Sequence, residues 1–211
     1  MFRLLRSIGN DVLRSPLVWV CLSVMITLLY FDRVQTTALP RVVDPLPPFE
    51  TTSSPQSLSR SLPTSLRIPR INLTTTFVDP LGLTRAGEVE VPAVYDQVGW
   101  YQYSPTPGEL GPAIILGHVD SFAGPAVFYN LKQLAVGDDI FVEREDGTVA
   151  HFAVTSIGRY EQSDFPTVAV YGNIDHAGLR LITCTGVFVR GVERYTHNLV
   201  VYARLIEASS T

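Results

Sequence analysis

The sequence predicts an all-β domain set behind one N-terminal transmembrane helix. Three observations carry that reading. An uncharged apolar stretch, residues 16–31, lies near the amino end behind basic residues. A stretch rich in Pro, Ser and Thr follows it. Beyond residue 64 the chain breaks into short runs of Val, Ile, Thr, Phe and Tyr separated by Gly and Pro. A chain of 211 residues has room for one domain with extensions, not for two ordinary domains. The 46% hydrophobic content excludes a disordered chain. Two cysteines exclude a disulfide framework and a four-cysteine zinc site. A net charge of −4 with a pI near 5.5 argues against nucleic-acid binding.

The first element is the apolar stretch PLVWVCLSVMITLLYF. Its 16 residues fall slightly short of the roughly 17–25 that span a bilayer as a helix, and the interfacial rings of Tyr30 and Phe31 extend it. Arg3, Arg6 and Arg14 precede it against one acid, Asp11, so the positive-inside rule keeps the N-terminus cytoplasmic and exports the rest. A cleaved signal peptide is the rival. It needs a small-residue cleavage site, and the run Asp32, Arg33, Val34, Gln35 fits that poorly. The anchor is the favoured reading, with Cys21 an apolar residue in lipid. This makes the chain a single-pass protein of the cell membrane with an extracytoplasmic domain.

Residues 34–64 have no helical or alternating period and no net charge, as expected of a polyproline-leaning linker that gives reach from the membrane. Residues 65–211 form the folded domain. Runs such as TVAHFAVTSIGRYE and RYTHNLVVYARLIE alternate apolar and polar residues as half-buried strands do. Asp146-Gly147 between two such runs signals a hairpin. Residues 125–134 (PAVFYNLKQL) read as the one short helix. Many brief strands with Gly/Pro turns make a sandwich or a barrel. This domain carries ten basic against sixteen acidic side chains, a net charge of −6.

Cys184 is the one cysteine outside the apolar stretch. A small buried hydrophobe and a reactive thiol are both open to it. Its place where LRLI gives way to a turn-prone TG favours a strand end at a rim. A cysteine nucleophile needs a proton-handling partner and a site for developing negative charge. Of the four histidines, His118 also ends an apolar run, AIILG, after Gly117. His151 and His197 lie within strand runs, and His176 lies in a polar turn. His118 and Asp120 alone lack the further ligands a metal site requires.

The segments GWYQYSPTPGELGPAIILGHVDS, VFYNLKQLAVGDDIFV, LRLITCTG and RYTHNLVVYARL together resemble the sortases, membrane-anchored cysteine transpeptidases of Gram-positive bacteria. The resemblance is to the class F sortases typical of actinobacteria, and it covers about residues 64–207. It implies an eight-stranded closed β-barrel with a Cys–His–Arg site and no metal or organic cofactor. By position, His118 is the catalytic histidine and Cys184, in the family's TLxTC segment, the nucleophile. Leu181, Thr183 and Cys184 match that segment, and Arg180 replaces its first Thr. Thr185 stands where class F chains often have the first of two glycines, and Gly186 keeps the second. Arg194 is the candidate arginine, with Arg190 a second. Alignment of the apolar run LVVYA puts Asn198 where other classes carry arginine. Gly117 and Thr183 help shape the site, and Asp120 either orients His118 or caps a turn.

The resemblance implies thiolate attack on the Thr–Gly carbonyl of an LPxTG-like sorting signal, and a thioacyl-enzyme resolved by a cell-wall precursor amine. Its partners are then sorting-signal-bearing surface proteins, that amine and the membrane, with no nucleic acid. An envelope cysteine peptidase and a non-catalytic anchored β-domain that binds envelope components are the competing readings.

Overall fold

The computed structural model describes residues 57–210. The anchor read at 16–31 and the linker up to residue 56 lie outside the described residues. Among the described residues, no helix is long and apolar enough to cross a membrane.

The strands are β1 (Pro63–Ile68), β2 (Leu73–Thr76), β3 (Gly99–Trp100), β4 (Gly111–Leu116), β5 (Asp120–Ser121), β6 (Gly124–Pro125), β7 (Asp139–Arg144), β8 (Thr148–Glu161), β9 (Ala177–Val189) and β10 (Arg194–Ser210). One five-residue α-helix, α1 (Thr167–Tyr171), lies between β8 and β9. Eight strands form one sheet in the order β2-β1-β7-β8-β10-β9-β4-β3, and β5 pairs with β6 apart from it. All the neighbours are antiparallel except β4 and β9.

The expected closed barrel is corrected to a curled sheet. Among the described residues no ladder joins its two edges, and the chain running on from β2 meets the β3 edge at the isolated bridges Phe77↔Val98 and Leu81↔Tyr101. The helix expected at 125–134 is also absent. Its backbone is used elsewhere: Ala126 N–H donates to Val119 O and Phe128 N–H to His118 O. Only a 3-10 turn, Leu131–Gln133, remains. The Asp146-Gly147 hairpin stands as expected. Gly147 has φ +79, and Asp146 Oδ1 accepts from Thr148 N–H at 3.0 Å.

The concave face of the curl holds the main core, including Leu66, Ile68, Ile115, Phe128, Ile140, Phe152, Leu179, Leu181, Leu199 and Val201. The opposite face carries a second cluster, Ile114, Leu116, Ile182 and Val200, covered by Val170 of α1. β4 is therefore buried on both faces. That explains why PAIIL is a continuous apolar run rather than an alternating one. The two-residue side-chain period then decides the site. Along β9, Leu179, Leu181 and Thr183 face the main core, and Arg180, Ile182 and Cys184 face outward.

Candidate active site

β4 and β9 run parallel, with Leu116 beside Ile182. Gly117 N–H donates to Ile182 O at 3.2 Å, which carries the ladder one step past the last strand pair. His118 is thereby delivered to the level of Cys184. The parallel pairing is what brings His118, two residues past the end of β4, level with Cys184 inside β9.

Cys184 is a free, half-buried cysteine. It does not end its strand: β9 continues to Val189, through Gly186 at φ +91 and an irregular register opposite Tyr195 and His197. The TG that looked like a turn is a bend within the strand. Burial pushes the Cys184 thiol above its ordinary value, and the carboxylate of Asp120 adds to the effect. The thiol is therefore mostly protonated at neutral pH, and any attack by it as a thiolate would call for a base.

His118 is held by contacts that sequence reasoning missed. Its Nε2 lies 2.8 Å from Pro92 O. A carbonyl can only accept, so Nε2 carries a proton, and in the neutral ring Nδ1 keeps the lone pair. The ring of Tyr95 packs on the imidazole with centroids 4.5 Å apart. Gly117 is required sterically: a Cβ there would sit 2.6 Å from Phe128 Cδ2 and 2.8 Å from Val127 Cγ1. Neither Pro92 nor Tyr95 carries a motif, and only the loop's return to His118 reveals them.

Asp120 does not orient His118. Its carboxylate accepts from the hydroxyl of Tyr195. Burial, followed by that carboxylate, raises the Tyr195 phenol to about 12. Asp120 and Tyr195 thus form a bonded pair whose charge is felt at the sulfur.

The remaining candidates separate. Asn198 lies directly opposite Cys184 on β10. Gln162 Nε2 donates to its Oδ1 at 3.4 Å. Arg194 lies opposite Val189, five residues beyond Cys184 along β9. Its side chain is 65% exposed, with Nη2 3.8 Å from Glu88 Oε2. Arg190 is in the exposed β9–β10 turn. Thr183 is buried against the main core, with its Oγ1 unpaired. Arg180 is buried outward, its guanidinium 4.6 Å over the ring of Tyr202, with Nη1 donating to Leu179 O at 3.0 Å. His151 pairs with Asp139 and His176 with Asp175, while the His197 ring bonds Thr196. Among the described residues, no three His, Cys, Asp or Glu side chains cluster as metal ligands.

Comparison with known proteins agrees with this architecture. No curated protein matches the sequence. Among solved structures, Listeria monocytogenes sortase A aligns at a TM-score of 0.54 and 16% identity, over 72% of this chain and 91% of that one. The Corynebacterium diphtheriae sortase A gives 0.51 at 21% identity over 71% and 62%. Sortase C1 of GBS pilus island 1 gives 0.50 at 20% identity over 68% of this chain, which spans 64% of the length of that protein. These likenesses show the fold. The sortase domain profile matches residues 66–206, two thirds of the sequence, and the chain belongs to the sortase domain family.

Proposed function

We propose that this protein is a membrane-anchored cysteine transpeptidase, similar to class F sortases. It would cleave an LPxTG-like sorting signal between Thr and Gly and pass the acyl group to a cell-wall amine. The observation that carries the reading is the delivery of His118, with a free Nδ1 lone pair, to the level of a half-buried thiol by the parallel β4–β9 ladder.

In this reading the Nδ1 lone pair of His118 takes the thiol proton. The Cys184 sulfur attacks the Thr carbonyl, and the protonated imidazole gives its proton to the departing glycine amine. The thioester carbonyl is then attacked by the incoming amine, whose proton His118 accepts. Surface proteins bearing the signal are the donors, and a cell-wall precursor amine is the acceptor. Arg194 is assigned to the hairpin rim, where release from Glu88 would free its guanidinium for substrate carbonyls. The stretch at 16–31 would hold the enzyme on the outer side of the cell membrane through the 34–64 linker.

The test is incubation of the full chain in detergent micelles with LPxTG-type peptides and an amine. Wild type is expected to give both the thioacyl-enzyme and the transpeptidation product, and Cys184→Ala neither. Equal turnover by the two proteins would refute the proposal.

A further inference from the structure

We infer that Asn198 is the hydrogen-bond donor to the oxyanion formed at Cys184, and that Gln162 is the positioning residue that holds its carboxamide in the donating orientation. This rests on the transpeptidase reading above and names a working part of that same site.

The placement follows from register. Asn198 and Cys184 are direct partners across the antiparallel β9–β10 pair. Direct partners project from the same face with Cβ atoms about 4.5–5.5 Å apart. The two short side chains therefore reach over a common point on the outward face. Both are half-buried, so a substrate carbonyl at the sulfur is shielded from bulk water yet accessible. The orientation follows from Gln162, in the 3-10 turn Gln162–Asp164 that follows β8. Its amide nitrogen can only donate, and it donates to Asn198 Oδ1 at 3.4 Å. With Oδ1 turned toward Gln162, the Nδ2 hydrogens of Asn198 point away from it and have no protein acceptor among the described residues.

Three of the other donors near this strand pair are engaged elsewhere. The Tyr195 hydroxyl is bonded to Asp120. Arg194 is five residues along the strand, beside Glu88. Arg159, the exception, pairs with Leu199 across β8–β10, and its Nη2 lies 3.3 Å from where a Cβ on Gly186 would sit, so Arg159→Ala is measured beside Asn198→Ala and should lose the less of the two. Arg180 is stacked on Tyr202 and bonded to Leu179 O. A neutral carboxamide thus stands where a charged donor would be expected.

The step balances as follows. The sulfur lone pair forms the S–C bond while the carbonyl π pair moves onto oxygen. Asn198 Nδ2–H donates to that oxygen. The pair then returns, the C–N bond breaks, and the leaving amine takes its proton from His118. A donor aimed at the developing oxyanion, about 2.7–3.1 Å from it, stabilises this intermediate more than the ground state.

The experiment measures thioacyl-enzyme formation by intact mass, with the full chain in detergent micelles and a panel of LPxTG-type peptides. Alkylation of Cys184 by iodoacetamide is followed in parallel. Asn198→Ala is expected to slow acylation by about 10²–10³-fold, mostly in kcat, while alkylation stays within about twofold of wild type. Gln162→Ala is expected to lose about tenfold, because the carboxamide is freed to rotate but not removed. Gln162→Glu should lose more than Gln162→Ala. A carboxylate only accepts, so it would turn Asn198 round and present Oδ1 to the oxyanion. A purely structural Gln162 would not produce that order. Arg194→Ala should lose about tenfold, mostly in KM, as expected of a contact to substrate carbonyls away from the reacting one. The inference is overturned if wild type acylates and Asn198→Ala acylates at the same rate, or if Arg194→Ala shows the large loss and Asn198→Ala does not. If wild type itself forms no thioacyl-enzyme with any peptide, the transpeptidase reading falls and this inference with it.

Discussion

Gly117→Ala tests how tightly the fold sets the position of His118. The added Cβ would sit 2.6 Å from Phe128 Cδ2, 2.8 Å from Val127 Cγ1 and 2.9 Å from Phe128 Cε2. Ordinary contacts begin near 3.4 Å, so relief needs a shift of roughly 0.8 Å or more. Phe128 is 0% exposed and packed in the main core, so it cannot swing aside. It also donates its N–H to His118 O at 2.9 Å, so backing away strains the bond that pins the histidine. Overpacking of this kind costs about 1–3 kcal/mol, which for a domain of this size lowers Tm by roughly 2–12 °C. Displacing the histidine by close to 1 Å costs about 10²-fold in rate. Peptide kcat/KM and urea unfolding should be measured on wild type, Gly117→Ala and Ile140→Val. The last is a core control that costs about 1 kcal/mol without touching His118, and it should keep its activity. Full activity in Gly117→Ala would refute the argument, because the histidine would then tolerate the shift that the packing demands.

The charge of Asp120 holds the Cys184 thiol up, so Asp120→Asn should move the pH profile of iodoacetamide alkylation to lower pH; a move upward would contradict the assignment. Tyr171 is raised from 10.0 to about 12, by burial and then by the Tyr101 phenol, so its folded value lies above its unfolded one. Its contribution to stability is complete below pH 10 and is lost as pH rises through about 12. Urea midpoints should fall over that window and fall less in Tyr171→Phe; an unchanged slope in the variant would refute this. Arg144 is a buried guanidinium bonded to Ser59 O and, at 2.9 Å, to Thr148 Oγ1, and it ties residues 57–62 to the β7–β8 hairpin. Arg144→Ala should cost about 1.5–3 kcal/mol and open residues 57–62 to proteolysis, and wild-type resistance to cleavage would count against that role.

The strands were legible wherever one face is wet. The alternation in β8 and β10 reads directly because their outer faces meet solvent for part of their length. β4 was legible only as an apolar run, because both its faces are covered. Cys184 and His118 could be singled out by residue type and by their places at the ends of apolar runs. Their convergence could not, because it depends on a parallel pairing between strands 60 residues apart in sequence. Residues 125–134 misled for a related reason. Their spacing suits a helix, but their backbone hydrogen bonds serve the His118 loop. Arg194 is a cation at the start of the last strand, but register decides cross-strand neighbours. Register puts Val189, not Cys184, opposite Arg194. The same parity argument makes Asn198 the neighbour of the sulfur, and Gln162 becomes visible only when the turn after β8 folds over β10.

The electrostatics around the sulfur fit this arrangement. Burial and Asp120 both disfavour the thiolate, and the residue opposite is a neutral amide rather than a cation. Neither the burial, nor Asp120, nor Asn198 holds the thiolate ready, so in the proposed mechanism reactivity at neutral pH depends on proton transfer to His118. A site of this kind exposes less thiolate to oxidants and activates the sulfur only when the imidazole is in place. Asn198→Arg puts the argument to a direct test. A guanidinium across the strand from Cys184 would favour the thiolate, so alkylation at pH 7 should rise several-fold. If Asn198 is the oxyanion donor, transpeptidation should survive, because the guanidinium can donate to the same oxygen. Its pH optimum should then move down. Alkylation at the wild-type rate in Asn198→Arg would mean that position 198 does not face the sulfur, and both the assignment of Asn198 and this account of the thiol would fail together.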